Sequence, residues 1–253
     1  MRLGLGEGIE RLGDAIHADA ARGWRSVYHP RVLTRMLSPQ DLLAWSIQRY
    51  KYACGTLDIA WRDNPLRRPG LTPWQKVMYG ATIYAYLAPL WTIPLLLAPV
   101  AFFFVGVSPV RSFDVTFFAH FVPFLAATRL AFLVRSWRVP TWRSEQFHLA
   151  AFWLHLRALA HVVAGKPIGF PVTPKTGARR RSLHLVAPHV ALLAATAAGI
   201  AYRGAQLWAG AATAAAAAAY VSNVFWSLHN ALCFAPFITA ATAARRPARE
   251  AAR

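Results

Sequence analysis

The stretch Leu87–Gly106, LAPLWTIPLLLAPVAFFFVG, decides the fold. None of its residues is charged, and at about 1.5 Å of rise per helical residue it covers the ~30 Å hydrocarbon core of a bilayer. Its prolines, Pro89, Pro94 and Pro99, are tolerable in a span because neighbouring helices satisfy the carbonyls they free. Three more stretches qualify, at 115–134, 184–202 and 207–238; the last is longer than a bilayer requires and must tilt or extend past the interface. Short turns join the four into two hairpins, 87–134 and 184–238.

The composition agrees with these spans. Of 253 residues, 56% are hydrophobic and 13% aromatic, with a mean hydropathy of +0.31. Against this stand 28 Lys and Arg and only 10 Asp and Glu, for a net charge of +18. Disorder needs low hydrophobicity, so a basic disordered tail is excluded. Apolar runs of this length also exclude a soluble nucleic-acid binder. Two cysteines, Cys54 and Cys233, supply neither a disulfide framework nor a zinc cluster. The first twenty residues contain no apolar core, so no cleavable signal peptide is expected there.

The basic residues orient the spans. Twelve Lys and Arg lie in residues 1–77, nine in 135–183 and four in 239–253, whereas the hairpin tips carry one each, Arg111 and Arg203. The positive-inside bias therefore places the N-terminal region, the middle loop and the tail in the cytoplasm. An even number of spans gives the same answer. Arg129, near the end of the second span, is expected to snorkel towards the inner interface. The stretches 71–86 (LTPWQKVMYGATIYAY) and 143–164 mix aromatic with basic residues and read as helices lying in the interface.

Residues 38–55 predict one cytoplasmic helix. Ser38 is placed as its N-cap, Pro39 at its first position, Asp41 three after the cap, and Gly55 at its far end. Trp45, Gln48, Lys51 and Tyr52 follow at three- and four-residue steps and share a face. Rings stack on sugar faces and a cation meets a phosphate, so this surface suits a sugar and its anion. The spacing alone also fits an amphipathic helix with a solvated polar face.

The stretch 23–66, from Gly23-Trp24 through Asp63-Asn64-Pro65-Leu66, resembles the C-terminal edge of the catalytic domain in processive, membrane-embedded family 2 glycosyltransferases, bacterial cellulose synthase being the nearest type. The family's Q-x-x-R-W motif falls on Gln48, Arg49, Tyr50, Lys51 and Tyr52, with Lys for Arg and Tyr for Trp. The resemblance implies that this helix opens the acceptor end of the site and meets the diphosphate. Lys keeps the charge but lacks the bidentate fork of Arg. Further on, Trp142-Arg143-Ser144-Glu145 matches a W-R-x-E segment, and Phe170, Val172, Thr173 and Lys175 match the F-x-V-T-x-K gating loop, which in relatives inserts over the bound nucleotide.

The same resemblance implies inverting transfer from a UDP-sugar, with Mg²⁺ held by a D-x-D motif and an aspartate as base. The sequence contains no D-x-D. Counted back from Gly23-Trp24 without gaps, the place of that base falls on Leu12, and a two-residue gap brings Asp14 there as the candidate base. The expectation is therefore that this chain alone binds no cofactor, donor or metal, and that a separate chain or an upstream reading frame supplies the nucleotide-sugar-binding domain. The sugar polymer and the bilayer are the expected partners, with no role for nucleic acid.

Other polar groups carry weaker signals. His148, His155 and His161 lack the cysteine or paired carboxylate that would complete a zinc set. Asn223, Ser227 and Asn230 form a stripe in the fourth span, suited either to a glycan path or to helix–helix hydrogen bonds. Arg179-Arg180-Arg181 reads as an orientation signal against anionic lipid.

The expected architecture is a mainly α membrane protein: about four transmembrane helices in two hairpins, two interfacial helices, and a short remnant of a GT-A-type α/β catalytic domain. Its parts are the remnant (1–70), the first interfacial helix and hairpin (71–135), the second interfacial helix and gating-like loop (136–183), the second hairpin (184–238) and a basic tail (239–253). The expected function is the membrane portion of a cellulose-synthase-like glycosyltransferase in a bacterial inner membrane, with both termini cytoplasmic and no activity by itself. The alternative is a non-catalytic scaffold or partner subunit derived from that family.

Overall fold

A computed structural model describes residue 39 and residues 41–107, 114–136, 141–169, 182–210 and 213–242. Among the described residues the regular structure is helical throughout and contains no strand. In chain order the helices are α1 (Leu42–Arg62), α2 (Pro73–Tyr86), α3 (Pro89–Val105), α4 (Val115–Arg135), α5 (Thr141–Ala150), α6 (Phe152–Val163), α7 (Leu183–Ala209) and α8 (Ala214–Thr242). Residues 1–38, where the rest of the α/β remnant was expected, lie outside the described residues.

Four stretches are long and apolar enough to cross a membrane: Pro73–Val105, Val115–Val134, Leu183–Ala209 and Ala214–Thr242. The chain is thus a multi-pass, mainly α membrane protein. The first candidate span takes in α2 and α3 together, parted only by a turn at Leu87–Ala88. α2 buries no residue and exposes Trp74, Met78 and Tyr84. A full capping box starts it, Thr72 and Gln75 each satisfying the other's backbone N–H.

Helix boundaries shift from those expected. α1 begins at Leu42, because Asp41 is itself the N-cap and its carboxylate accepts from the Ala44 N–H at 2.7 Å. Gly55 does not end it. The helix runs on to Arg62 because Leu57 is buried on its inner face and Arg62 pairs with Asp58 at 2.8 Å; together these outweigh the ~1 kcal/mol that a mid-helix glycine costs. The second interfacial stretch divides at Ala151 into α5 and α6. α7 continues to Ala209 instead of stopping near 202, and α8 extends to Thr242.

The described residues gather into two compact units. One comprises α1, α2 and α6 from Trp153; the other holds α3 from Leu90, α4, α5, α7 and α8. The core of the first is Ala53, Cys54 and Leu57 of α1 packed with Ala158 and Val162 of α6, and Tyr50, Tyr86 and Leu87 lie against it.

In the second unit, lipid is as apolar as the side chains, so close packing and polar contacts replace the hydrophobic effect. α3 and α7 approach so closely at Gly199 that a Cβ there would sit 2.7 Å from Phe103 Cβ. Tyr220 of α8 donates its hydroxyl to the Ile200 carbonyl of α7 at 3.1 Å. Arg129 of α4 finds a partner besides the interface, because Glu145 of α5 takes its guanidinium through both oxygens.

Candidate functional site

The candidate site is the outer face of α1, in the first unit. An α-helix turns about 100° per residue, so burying Ser46, Ala53 and Leu57 turns Gln48, Lys51 and Tyr52 away from them, with Trp45 at the edge of that face. Tyr52 is 52% exposed. Its hydroxyl accepts from Gln48 Nε2 at 3.3 Å, one turn away, so amide and ring are held as a pair. The Arg49 guanidinium lies 5.7 Å from the centre of the Trp45 ring, a cation–π distance. Lys51 is half-buried on the same face. The surface thus offers two rings, an amide and two cations.

The neighbouring face of α1 meets groups of α2 and α6 that the spacing along α1 does not supply. Tyr50 lies between the Arg157 guanidinium, 5.7 Å from its ring centre, and the His161 ring, which meets it edge-on at 6.0 Å. Burial pushes the Tyr50 hydroxyl and the Cys54 thiol above their ordinary ranges. Tyr86 of α2 packs edge-on against His155 at 5.3 Å and lies within electrostatic range of Arg49 and Tyr52. Arg157, His161 and Tyr86 reach α1 from elsewhere in the chain, and only the three-dimensional arrangement reveals them. Their chemistry is hydrogen bonding and charge presentation to a polar, anionic or sugar-like ligand.

The other expected positions are distributed as follows. Asp14 and the gating-loop residues Phe170, Val172, Thr173 and Lys175 lie outside the described residues. Asn223 and Ser227 are buried in the second unit and bond along their own helix, Asn223 to the Ala219 carbonyl at 2.9 Å and Ser227 to the Asn223 carbonyl at 2.7 Å. Asn230 is half-buried. Among the described residues no three His, Cys, Asp or Glu side chains gather as a metal site.

The second unit holds a polar cluster of its own. Glu145 accepts from Arg129, with one limb of the pair at 2.7 Å, and lies 3.5 Å from His229 Nε2. The Arg129 guanidinium holds the Glu145 carboxyl below the usual carboxylate range. Trp142 and Trp226 meet the His229 ring edge-on at 5.8 and 5.6 Å. The W-R-x-E segment pointed to Glu145, but its partners come from two other helices.

No family model matches the chain, and no solved structure does. Curated proteins do match it. The cellulose synthase catalytic subunit [UDP-forming] of Pseudomonas fluorescens (strain SBW25) is 26% identical over 230 residues, covering 88% of this chain and 31% of that protein. Cellulose synthase 1 of Komagataeibacter xylinus is 26% identical over 211 residues, 81% of this chain and 14% of that protein. Cellulose synthase-like protein D2 of Oryza sativa subsp. indica is 31% identical over 174 residues, 62% of this chain and 14% of that protein. The chain is therefore a cellulose-synthase-like relative that spans less than a third of the length of these proteins.

Proposed function

We propose that this cellulose-synthase-like chain is the membrane portion of a family 2 glycosyltransferase, which builds a polysaccharide from a UDP-sugar and moves it across a membrane. The observation that carries the reading is the paired Gln48 and Tyr52 on an exposed face of α1, within a chain whose likeness to cellulose synthases runs through 81–88% of its length. Tyr52 and Trp45 supply stacking surfaces for the growing glycan. Gln48 addresses hydroxyls, and Arg49 and Lys51 address diphosphate oxygens. Phe170, Val172, Thr173 and Lys175 are assigned the lid by resemblance, and Asp14 is the candidate base.

The 253 residues contain no D-x-D motif, so donor and Mg²⁺ binding fall, in this reading, outside them, to a separate chain or to an upstream part of the same protein. We place the protein in a bacterial inner membrane with its termini in the cytoplasm, on the bias of its basic segments.

One observation favours a second reading, a non-catalytic scaffold: Lys51 and Tyr52 stand where the family motif has Arg and Trp. Lys cannot grip a diphosphate in bidentate fashion.

The two readings separate in reconstituted membranes. Labelled UDP-glucose and other UDP-sugars are supplied to the chain alone and to the chain with a donor-binding domain from a cellulose synthase. The catalytic reading expects polymer only with the added domain, and expects Tyr52→Ala to cut synthesis about tenfold, which corresponds to ~1.4 kcal/mol of lost transition-state contact. Polymer made by the chain alone would overturn the separate donor site. Synthesis indifferent to Tyr52→Ala and Gln48→Ala would favour the scaffold.

A further inference from the structure

Pro236 lies inside α8. In an α-helix the carbonyl of residue i accepts from the N–H of residue i+4, and proline has no N–H to give. The Leu232 carbonyl therefore lacks the i+4 donor of its own helix. In a bilayer such an orphan costs several kcal/mol unless another group satisfies it.

The structure supplies that group from α5. Gln146 Nε2 donates to the Leu232 carbonyl at 2.9 Å across 86 residues of sequence. Gln146 is only 6% exposed, and its own Oε1 is buried with no hydrogen-bond partner among the described residues. The amide is thus committed to a single donation.

Two neighbours hold α5 in place for this contact. Glu145, next in sequence, takes the Arg129 guanidinium of α4 and faces His229 of α8, less than one turn before Leu232. At the far end of α5 the Ala150 carbonyl, unpaired within its own helix, is met by His189 Nε2 of α7 at 2.7 Å. His189 is itself 1% exposed and is enclosed by the rings of Phe152, Phe234 and Phe237 at 4.9 to 5.0 Å. α5 is thus bonded to α4, α7 and α8, and its bond to α8 falls on the carbonyl that a proline has freed.

We propose that Gln146 and Pro236 form a latched hinge: α8 keeps its conformation at Pro236 while Gln146 holds the Leu232 carbonyl, and α5 cannot leave the bundle without reorganising α8 there. The position of α5 and the conformation of α8 are then one equilibrium. This rests on the geometry within the second unit and is independent of what the protein transports or synthesises.

A double-substitution cycle on the full chain in lipid nanodiscs tests the hinge. Spin labels at Val221 and Thr239, both exposed, straddle the proline, and thermal unfolding is followed in parallel. Gln146→Leu is expected to lower the unfolding midpoint and to broaden or shift the 221–239 distance distribution. Gln146→Met, of similar length and without a donor, should do the same.

In Pro236→Ala, residue 236 regains an N–H for Leu232, so Gln146→Leu should leave both readouts unchanged within error. An equal effect of Gln146→Leu with and without Pro236, or no effect in either background, would overturn the proposal. Should Gln146→Leu alone fail to fold, recovery of folded protein in the Gln146→Leu/Pro236→Ala double variant supports the hinge, and failure to recover overturns it.

Discussion

The Arg129 guanidinium and the Glu145 carboxylate meet through both nitrogens and both oxygens, one limb at 2.7 Å, so that a cation carried by a spanning helix is neutralised by a short helix sixteen residues further on. The pair is partly exposed, at 47% for the Arg129 side chain and 23% for that of Glu145. That exposure lowers its worth below the 3–5 kcal/mol lost when a fully buried pair is broken.

Glu145→Gln is expected to destabilise the protein by about 1–2 kcal/mol, and Arg129→Gln in the same background should recover part of the loss. Thermal unfolding in detergent measures both. The pH dependence follows from the depressed carboxyl of Glu145. Its stabilisation is complete above the ordinary glutamate range of about 4.3 and is lost only as pH falls through the lower folded value. Glu145→Gln should remove this acid-side loss; an unchanged acid limb would show that other carboxylates cause it.

Two glycines should respond in opposite directions. At Gly199 a new Cβ meets Phe103 Cβ at 2.7 Å, within van der Waals overlap, so Gly199→Ala should cost about 1–3 kcal/mol by forcing α7 from α3. At Gly55, within α1, a new Cβ meets nothing within 4 Å, so Gly55→Ala should stabilise by about 0.5–1 kcal/mol through helix propensity. Unfolding midpoints of the two variants test the ordering.

Topology gives a third test. Four candidate spans and the basic middle segment predict that a reporter fused after residue 169 reports the cytoplasm and one fused after residue 210 the opposite side. Paired alkaline phosphatase and fluorescent-protein fusions distinguish the two sides. Phosphatase activity at the 169 junction would reverse the orientation.

Much of this was legible in the sequence. Uncharged runs such as 87–106 specify membrane spans because the length of a helix and the thickness of a bilayer are fixed quantities. The face carrying Trp45, Gln48, Lys51 and Tyr52 was equally readable, since helical spacing alone puts those residues together. Boundaries were read less well. Gly55 signals an end only where nothing holds the helix beyond it, and Leu57 and the Asp58–Arg62 pair do hold it.

The sequence by itself determined that this chain is helical and membrane-spanning and which residues share the outer side of α1, because these depend on periodicity and polarity along one segment. Only the tertiary structure decided that Arg129 meets Glu145, that Arg157 and His161 flank Tyr50, and that Gln146 reaches the carbonyl opposite Pro236. Each of those contacts joins residues from different helices. Their pairing depends on how the helices pack, and no local pattern of residues encodes it.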